Sequence, residues 1–323
     1  MLNRRLGRTG WRVSEIGYGA WQIGGTMWGE VPEPRAHAAL EAALEAGINF
    51  FDTALAYGHG RSERLVGEVL RTSGERDRVR VASKVPPMNW QWPAQEGSPL
   101  RDNFPAQWIE ECAQRSLANL GGDAIDLLQL HVWADSWTDD AEWFDTLTDL
   151  RDRGLIRAFG ISVNDHDPSS GLRVVESGKI DTVQVIYNVF DQTPADELFG
   201  AAQRGDVGVI ARVPLDESSL AGVLREDTVF GESDMRRSYF RGARLRDTVR
   251  RVERLRPMLQ GAGQSMAQGA LRFCLSHPAV STVIVGSVDE EHIRANAEAS
   301  EMGPLDAGLR IKLKSHAWPR NFY

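Results

Sequence analysis

Cysteine is nearly absent from this 323-residue chain: Cys112 and Cys274 are the only two. Two thiols so far apart make no disulfide framework, and both fall in helical patterns, so packing is their expected role. Long apolar runs are missing as well. Nothing approaches the ~20 apolar residues of a membrane span, and Met1-Leu2-Asn3-Arg4-Arg5 lacks the apolar stretch of a secretory signal. The expectation is a soluble, cytoplasmic protein. Positive charge is in deficit, with 37 Lys and Arg against 45 Asp and Glu and a formal net charge of −8. That balance argues against nucleic acid or a membrane surface as partner and leaves room for a small ligand in a local basic pocket. No Gly-x-Gly-x-x-Gly turn follows the first predicted strand, where an open dinucleotide-binding sheet would carry it. Linkers, repeats and low-complexity tracts are absent too, so residues 1–323 read as one domain.

What is present is a regular alternation. Short β-branched runs fall at Glu15–Ala20, Asn49–Thr53, Arg80–Lys84, Asp126–His131, Ile156–Val163, Thr182–Tyr187, Gly208–Val213 and Thr282–Val285. Between them, apolar spacing near 3.6 predicts helices over Glu33–Ala46, Arg61–Arg71, Pro105–Leu120, Thr138–Arg153, Ser169–Ser177 and Pro194–Gln203, then Leu245–Leu259, Ser265–Ser276 and Asp289–Ala299. Gly47, Gly121, Gly154, Gly178 and Gly205 close helices as left-handed caps do, and Ser62 is placed to cap Arg64–Leu70. Strands alternating with helices imply parallel pairing by right-handed crossovers, and eight such units favour closure. The expected fold is α/β: a (β/α)8 TIM barrel with long loops at its C-terminal face. Arg4–Leu6 and Arg12–Ser14 read as a short N-terminal β-hairpin that plugs the lower end.

Barrel sites gather at the C-terminal ends of the strands. Those ends deliver Asp52, Lys84, His131 and Asn188, with Tyr57 one short loop beyond Asp52. Reduction of a carbonyl by hydride leaves an alkoxide that needs a proton. A phenol near its ordinary pKa of ~10 is a poor donor at neutral pH, but an adjacent ammonium makes it a better one. Asp52 would pair with Lys84 and offset its burial, and His131 would donate to the substrate oxygen. Taken singly, each of these residues is more often structural; together on neighbouring strand tops they form one acid–base group.

The residues also carry a resemblance. Arg5-Leu6-Gly7-Arg8-Thr9-Gly10, Gly47-Ile48-Asn49-Phe50-Phe51-Asp52-Thr53-Ala54, Tyr57-Gly58 with Arg61-Ser62-Glu63, Lys84, Asp126-Leu127-Leu128-Gln129-Leu130-His131 and Gly160-Ile161-Ser162 resemble the aldo-keto reductases, in order from Arg4 to about Asn296. The resemblance implies a catalytic tetrad of Asp52, Tyr57, Lys84 and His131, with Tyr57 as general acid in reduction and general base in oxidation. It implies a nicotinamide cofactor lying across the barrel top, no metal, and a small carbonyl or alcohol substrate. Ser162 and Gln184 match positions that hold the nicotinamide amide; Asn164 lies one place from the family's usual asparagine. Trp21 lies on the first loop of the same mouth.

Two segments depart from the family pattern. Where a stacking tyrosine is common, this chain has Arg212 ahead of Val213-Pro214-Leu215, and a guanidinium plane can stack on nicotinamide or meet the substrate. Pro214, Leu215, Ser218, Ser219 and Gly222 are then expected along the pyrophosphate. At the adenosine end, Gly286 and Ser287 precede Asp289-Glu290-Glu291, and only Ser287, His292 and Arg294 can meet a 2′-phosphate, with Asn296 closing the segment. The family favours NADPH; the acidic run favours NADH. Trp28, Trp90, Trp92 and Trp133, with Arg236, are expected to line the substrate pocket. Such aromatic walls suit apolar carbonyl compounds and equally the C–H faces of sugars, the latter being the working expectation. The competing functions are an NAD-dependent sugar dehydrogenase working oxidatively and, in another class, a cofactor-sensing regulatory subunit. The segment His316–Tyr323 either folds back to the mouth or contacts another subunit; whether the chain is a monomer or homo-oligomer is not legible.

Overall fold

A computed structural model describes residues 1–261 and 263–323. Its core is eight parallel strands: β3 (Ile16–Gly19), β4 (Phe50–Asp52), β5 (Arg80–Val85), β6 (Ile125–Leu130), β7 (Ile156–Ser162), β8 (Thr182–Ile186), β9 (Gly208–Arg212) and β10 (Val280–Val285). They pair in chain order, and β10 returns to β3, so the sheet has no edge. Every predicted strand is found; the largest shift is β10, which starts two residues early at Val280.

Two short antiparallel strands, β1 (Asn3–Arg5) and β2 (Arg12–Ser14), precede the barrel as expected. Leu6 and Val13 of this hairpin pack with Phe50, Ala82, Leu127, Ala158, Ile210 and Ile284, which fill the lower interior. The fit is close: a Cβ on Gly208 would lie 2.7 Å from the Leu6 side chain, so the plug requires glycine there. The barrel therefore has a closed floor.

Around it run α1 (Glu33–Glu45), α2 (Arg61–Ser73), α3 (Ala106–Leu120), α4 (Ala141–Asp152), α5 (Leu172–Glu176), α6 (Leu198–Arg204), α7 (Arg236–Tyr239), α8 (Arg244–Leu259), α9 (Met266–Leu275), α10 (Glu290–Glu298) and α11 (Ala307–Lys314). Caps explain several ends. Ser265 and Gln268 form a reciprocal capping box at α9, and Asp140 starts α4 by accepting from Glu142 N, later than the predicted Thr138. Ser62 does not cap: α2 begins at Arg61, and the Ser62 hydroxyl instead donates to Ala20 O. Gly205, at φ −84°, is not left-handed either. Helices α7 and α11 were not foreseen; the first lies in the long loop after β9, and the second precedes the closing segment.

Among the described residues, no helix is long and apolar enough to cross a membrane. Cys112 and Cys274 are both buried and free.

Candidate active site

The inward faces of the strands repeat every second residue. One step above the apolar layer of Phe50, Ala82 and Leu127 stand Asp52, Lys84 and Gln129, and one step above Thr182 stands Gln184. This change of chemistry builds a buried polar ring over an apolar floor. Lys84 Nζ forms a close ion pair with Asp52 Oδ1 and donates to Thr53 O at 2.8 Å and to Tyr57 Oη at 3.4 Å. Gln184 Nε2 donates to Asp52 Oδ2 at 2.7 Å and Gln129 Nε2 to the same oxygen at 3.4 Å. Asp52 thus has both oxygens engaged, which is what a buried carboxylate needs.

Tyr57 stands over this ring. Its ring centroid lies 5.0 Å from Lys84 Nζ and 5.7 Å from the edge-on ring of His131. Burial pushes the Tyr57 hydroxyl above its ordinary pKa; Lys84 pulls it back, Asp52 pushes it up again, and Arg212 lowers it slightly. The ammonium therefore moderates a rise and does not produce the net fall expected from the pair alone. Burial by itself would lower the Lys84 ammonium, but Asp52 and Tyr57 outweigh it and hold its pKa above the ordinary value. Burial, helped by the charges of Lys84 and Arg212, drives His131 well below its usual value. His131 is neutral at pH 7, and its Nδ1 is buried without a partner. A phenol, a fixed cation and a neutral imidazole facing one space can hold an oxygen and pass it a proton.

Aromatic side chains frame the space. Trp92 meets His131 edge-on at 5.8 Å, Trp90 packs against Trp92 at 5.7 Å, and Trp21 lies 6.1 Å from Tyr57 and 5.5 Å from Trp28. Arg236 stacks over Trp28 at 4.6 Å while paired with Asp234. Trp133 is not part of this wall. It is fully buried and packs edge-on against Trp137 and Trp143, outside the barrel, because it lies two residues past His131, where the chain has turned toward α4.

Two residues expected at the cofactor already have protein partners, Asn164 through both amide atoms and Arg212 through one nitrogen. Asn164 accepts from Ala94 N at 3.0 Å and donates to Ala94 O at 3.1 Å, so both amide atoms anchor the 85–104 loop. Arg212 reaches the mouth but is ion-paired: its Nη2 donates to Asp165 Oδ1 at 2.7 Å and to Val163 O at 3.1 Å. Its Nε is buried without a partner. Ser162 is buried at the top of β7, beside Gln184 in register.

Beyond Arg212 the backbone is unusual. Val213, Asp216, Glu217 and Ser218 have φ of 54°, 46°, 51° and 75°, and Gly222 follows at 75°. Asp216 N, Ser219 N and Leu220 N bond within the loop, whereas the amides of Leu215, Glu217 and Ser218 donate to no protein acceptor among the described residues. Clustered free amides of this kind make an anion-holding concavity. Farther out, Gly286 lies so close to Gly19 that a Cβ would sit 2.7 Å from Gly19 O. Asp289 caps α10 by accepting from His292 N. Arg294 pairs with Glu290 at 3.1 Å and Glu45 at 3.3 Å, while the His292 side chain is exposed. Ser287 Oγ turns back onto Asp289, and the Asn296 side chain is buried.

The family model for the Aldo/keto reductase family matches residues 15–310. The chain belongs to that family. It is an oxidoreductase of the kind that interconverts carbonyl and alcohol groups. Among its relatives, Aldo-keto reductase YhdN of Bacillus subtilis (strain 168) is 31% identical over 293 residues, covering 90% of this chain and 86% of the relative. A probable voltage-gated potassium channel subunit beta of Oryza sativa subsp. japonica is 29% identical, covering 94% and 93%. The structure of a glycerol dehydrogenase from Gluconobacter oxydans superposes with a TM-score of 0.79 at 25% identity, covering 97% of this chain and 94% of that one.

The groove of this aldo-keto reductase fits a nicotinamide dinucleotide on three counts. The Leu215, Glu217 and Ser218 amides have no protein acceptor among the described residues, the Arg212 Nε is orphaned, and the close approach of Gly19 and Gly286 leaves the wall without side chains. Gln129 and Arg35 were missed by sequence reasoning. Gln129 carries the period-two signal of a polar residue on the inward face of an apolar strand, which could have found it. Arg35, whose Nε donates to Val288 O at 3.2 Å, brings a cation from α1 to the adenosine end, and no local pattern marks it.

Proposed function

We propose that this oxidoreductase interconverts a polyhydroxylated carbonyl compound and its alcohol, with Tyr57 as the proton carrier. The single observation that carries this reading is the Asp52–Lys84–Tyr57 chain of contacts beside a neutral His131. A bound nicotinamide dinucleotide supplies or accepts the hydride. The chain's own residues do the rest. His131 donates a hydrogen bond to the substrate oxygen, and Tyr57 gives that oxygen its proton in reduction or takes it in oxidation. Lys84 stabilises the phenolate that remains, because its ammonium stays charged next to Asp52. Arg212 and the free amides of Leu215, Glu217 and Ser218 hold the dinucleotide at its nicotinamide and pyrophosphate ends.

The aromatic frame of Trp21, Trp28, Trp90 and Trp92 suits the C–H faces of a sugar or polyol, with Arg236 and Asp165 as polar partners. The Gluconobacter relative is a glycerol dehydrogenase, and glycerol is a polyol, which supports the same class. A screen that finds turnover of apolar aldehydes and none of sugars or polyols removes this substrate class.

A second reading has a specific observation behind it. Arg294 is paired with Glu290 and Glu45, and Asp289 to Glu291 put negative charge on the segment read as the adenosine end. This favours NAD and an oxidative direction. Parallel titration with NADPH and NADH, followed by quenching of tryptophan fluorescence, decides it: tighter NADPH binding removes the oxidative reading. The channel-subunit relative raises a third role, a cofactor sensor. Tyr57→Phe separates that role from catalysis, since a sensor keeps its function without the phenol.

A further inference from the structure

The closing segment folds back over the mouth and meets the loop after β9. Arg320 Nη2 pairs with Asp216 Oδ2 at 2.6 Å, with side chains 8% and 0% exposed. Asp216 also accepts from Ser219 Oγ at 2.6 Å and Tyr239 Oη at 3.3 Å. The neighbouring Glu217 accepts a close hydrogen bond from the Tyr323 hydroxyl. Arg236 Nη1 donates to Ser218 Oγ at 3.2 Å. Thus three consecutive left-handed residues have each side chain fastened from outside, two of them by the closing segment. The segment is itself anchored: Trp318 N donates to Phe190 O at 2.7 Å, Arg244 holds Phe322 O at 2.9 Å, and the Arg320 guanidinium lies between the rings of Phe190 and Phe322.

This arrangement answers a physical problem. A loop read as a pyrophosphate holder carries two adjacent buried carboxylates, which repel both each other and a phosphate. Non-glycine residues do not keep left-handed φ unless their surroundings impose it. Turning both carboxylates toward Arg320 and Tyr323 neutralises one and hydrogen-bonds the other, while the backbone amides of Leu215, Glu217 and Ser218 keep no protein acceptor among the described residues.

We propose that Arg320 and Tyr323 are positioning residues of the dinucleotide-binding loop: by holding Asp216 and Glu217 they keep the 215–218 amides in the anion-binding conformation. This rests on the reading of that loop as a dinucleotide holder. Its consequence is that the closing segment controls how tightly the dinucleotide is held and how fast it leaves.

The test measures equilibrium binding and dissociation of NADH and NADPH on the full chain and on Arg320→Met, Arg320→Lys and Tyr323→Phe, with turnover alongside. Arg320→Met is expected to weaken binding of the preferred dinucleotide by about tenfold, as a loop competent a tenth of the time would. Its KM for the dinucleotide should rise more than kcat falls. Arg320→Lys, which keeps the charge, should recover most of the affinity, and Tyr323→Phe should give a smaller loss in the same direction. Arg4→Met breaks the Arg4–Glu15 pair at the barrel floor, 2.6 Å apart, and serves as the control that lowers stability with no change in affinity. Where Arg320→Met does not fold, Arg320→Met combined with Asp216→Asn removes both charges and carries the same prediction. Unchanged affinity and dissociation rate in Arg320→Met and Tyr323→Phe, with the intact chain binding normally, overturn the proposal alone. Failure of the intact chain to bind either dinucleotide overturns the underlying reading and the clamp with it.

Discussion

The two ends of the groove are built in opposite ways. At the nicotinamide end, Asp52, Lys84, Gln129 and Gln184 are fully buried and bonded to one another, on strands closed into a ring. At the end read as the adenosine site, Asp289, Glu290, His292 and Arg294 are exposed around the start of α10 and pair with one another and with Glu45 of the same surface. Interactions at the first end act in a low-dielectric interior, and those at the second are screened by water and salt. On the proposed reading, the difference teaches that buried geometry would fix the chemistry, while the choice of dinucleotide would be a small balance of exposed charges.

The sharpest break of that comparison is at the buried end. Tyr57→Phe should lower turnover by roughly 10²- to 10⁴-fold, the range of a general acid–base group, with dinucleotide affinity kept. Steady-state kinetics beside fluorescence titration check it; unchanged turnover sinks the tetrad. Next is Lys84→Met, which leaves Asp52 buried with its cation gone and should cost about 3–5 kcal/mol in denaturant unfolding. The double variant with Asp52→Asn should regain most of that stability and none of the activity. Smaller is Glu290→Gln, which removes one of the two carboxylates paired with Arg294 at the exposed end. It should raise the NADPH-to-NADH affinity ratio only about threefold, as expected for an exposed charge pair, and the gain should fade at high salt.

The smallest effect concerns Glu217, which lies between the two ends. Burial pushes its carboxyl up to about 7, with Asp216 adding to the rise and the Tyr323 hydrogen bond opposing it. Because the folded-state pKa exceeds the ordinary 4.5, the folded chain binds more protons than the unfolded chain between these values. Stability therefore falls as pH rises from about 4.5 to about 7 and levels off above. Glu217→Gln should flatten this slope in thermal melts; an unchanged slope assigns it to other groups.

The barrel was legible because its signal is local and repeated. Eight apolar runs and the helices between them follow periodicities that no distant contact has to supply. Asp52, Lys84 and His131 were legible for the same reason, being polar residues where apolar strands end. Trp133 was misjudged because position after a strand does not say whether the chain has already turned outward, and its burial is decided by Trp137 and Trp143. Asn164 and Arg212 were placed at a ligand, but their partners, Ala94 and Asp165, come from loop paths that carry no periodic signal. The clasp of Arg320 on Asp216 joins residues more than a hundred positions apart. Burial of an Asp-Glu pair in a loop is the only hint of it, and it shows in three dimensions alone.

The hairpin floor has a consequence for traffic. With the interior below it filled by Leu6, Val13, Phe50, Ala82 and Leu127, Tyr57 is approached from the C-terminal face, so whatever reaches it enters and leaves by the same rim.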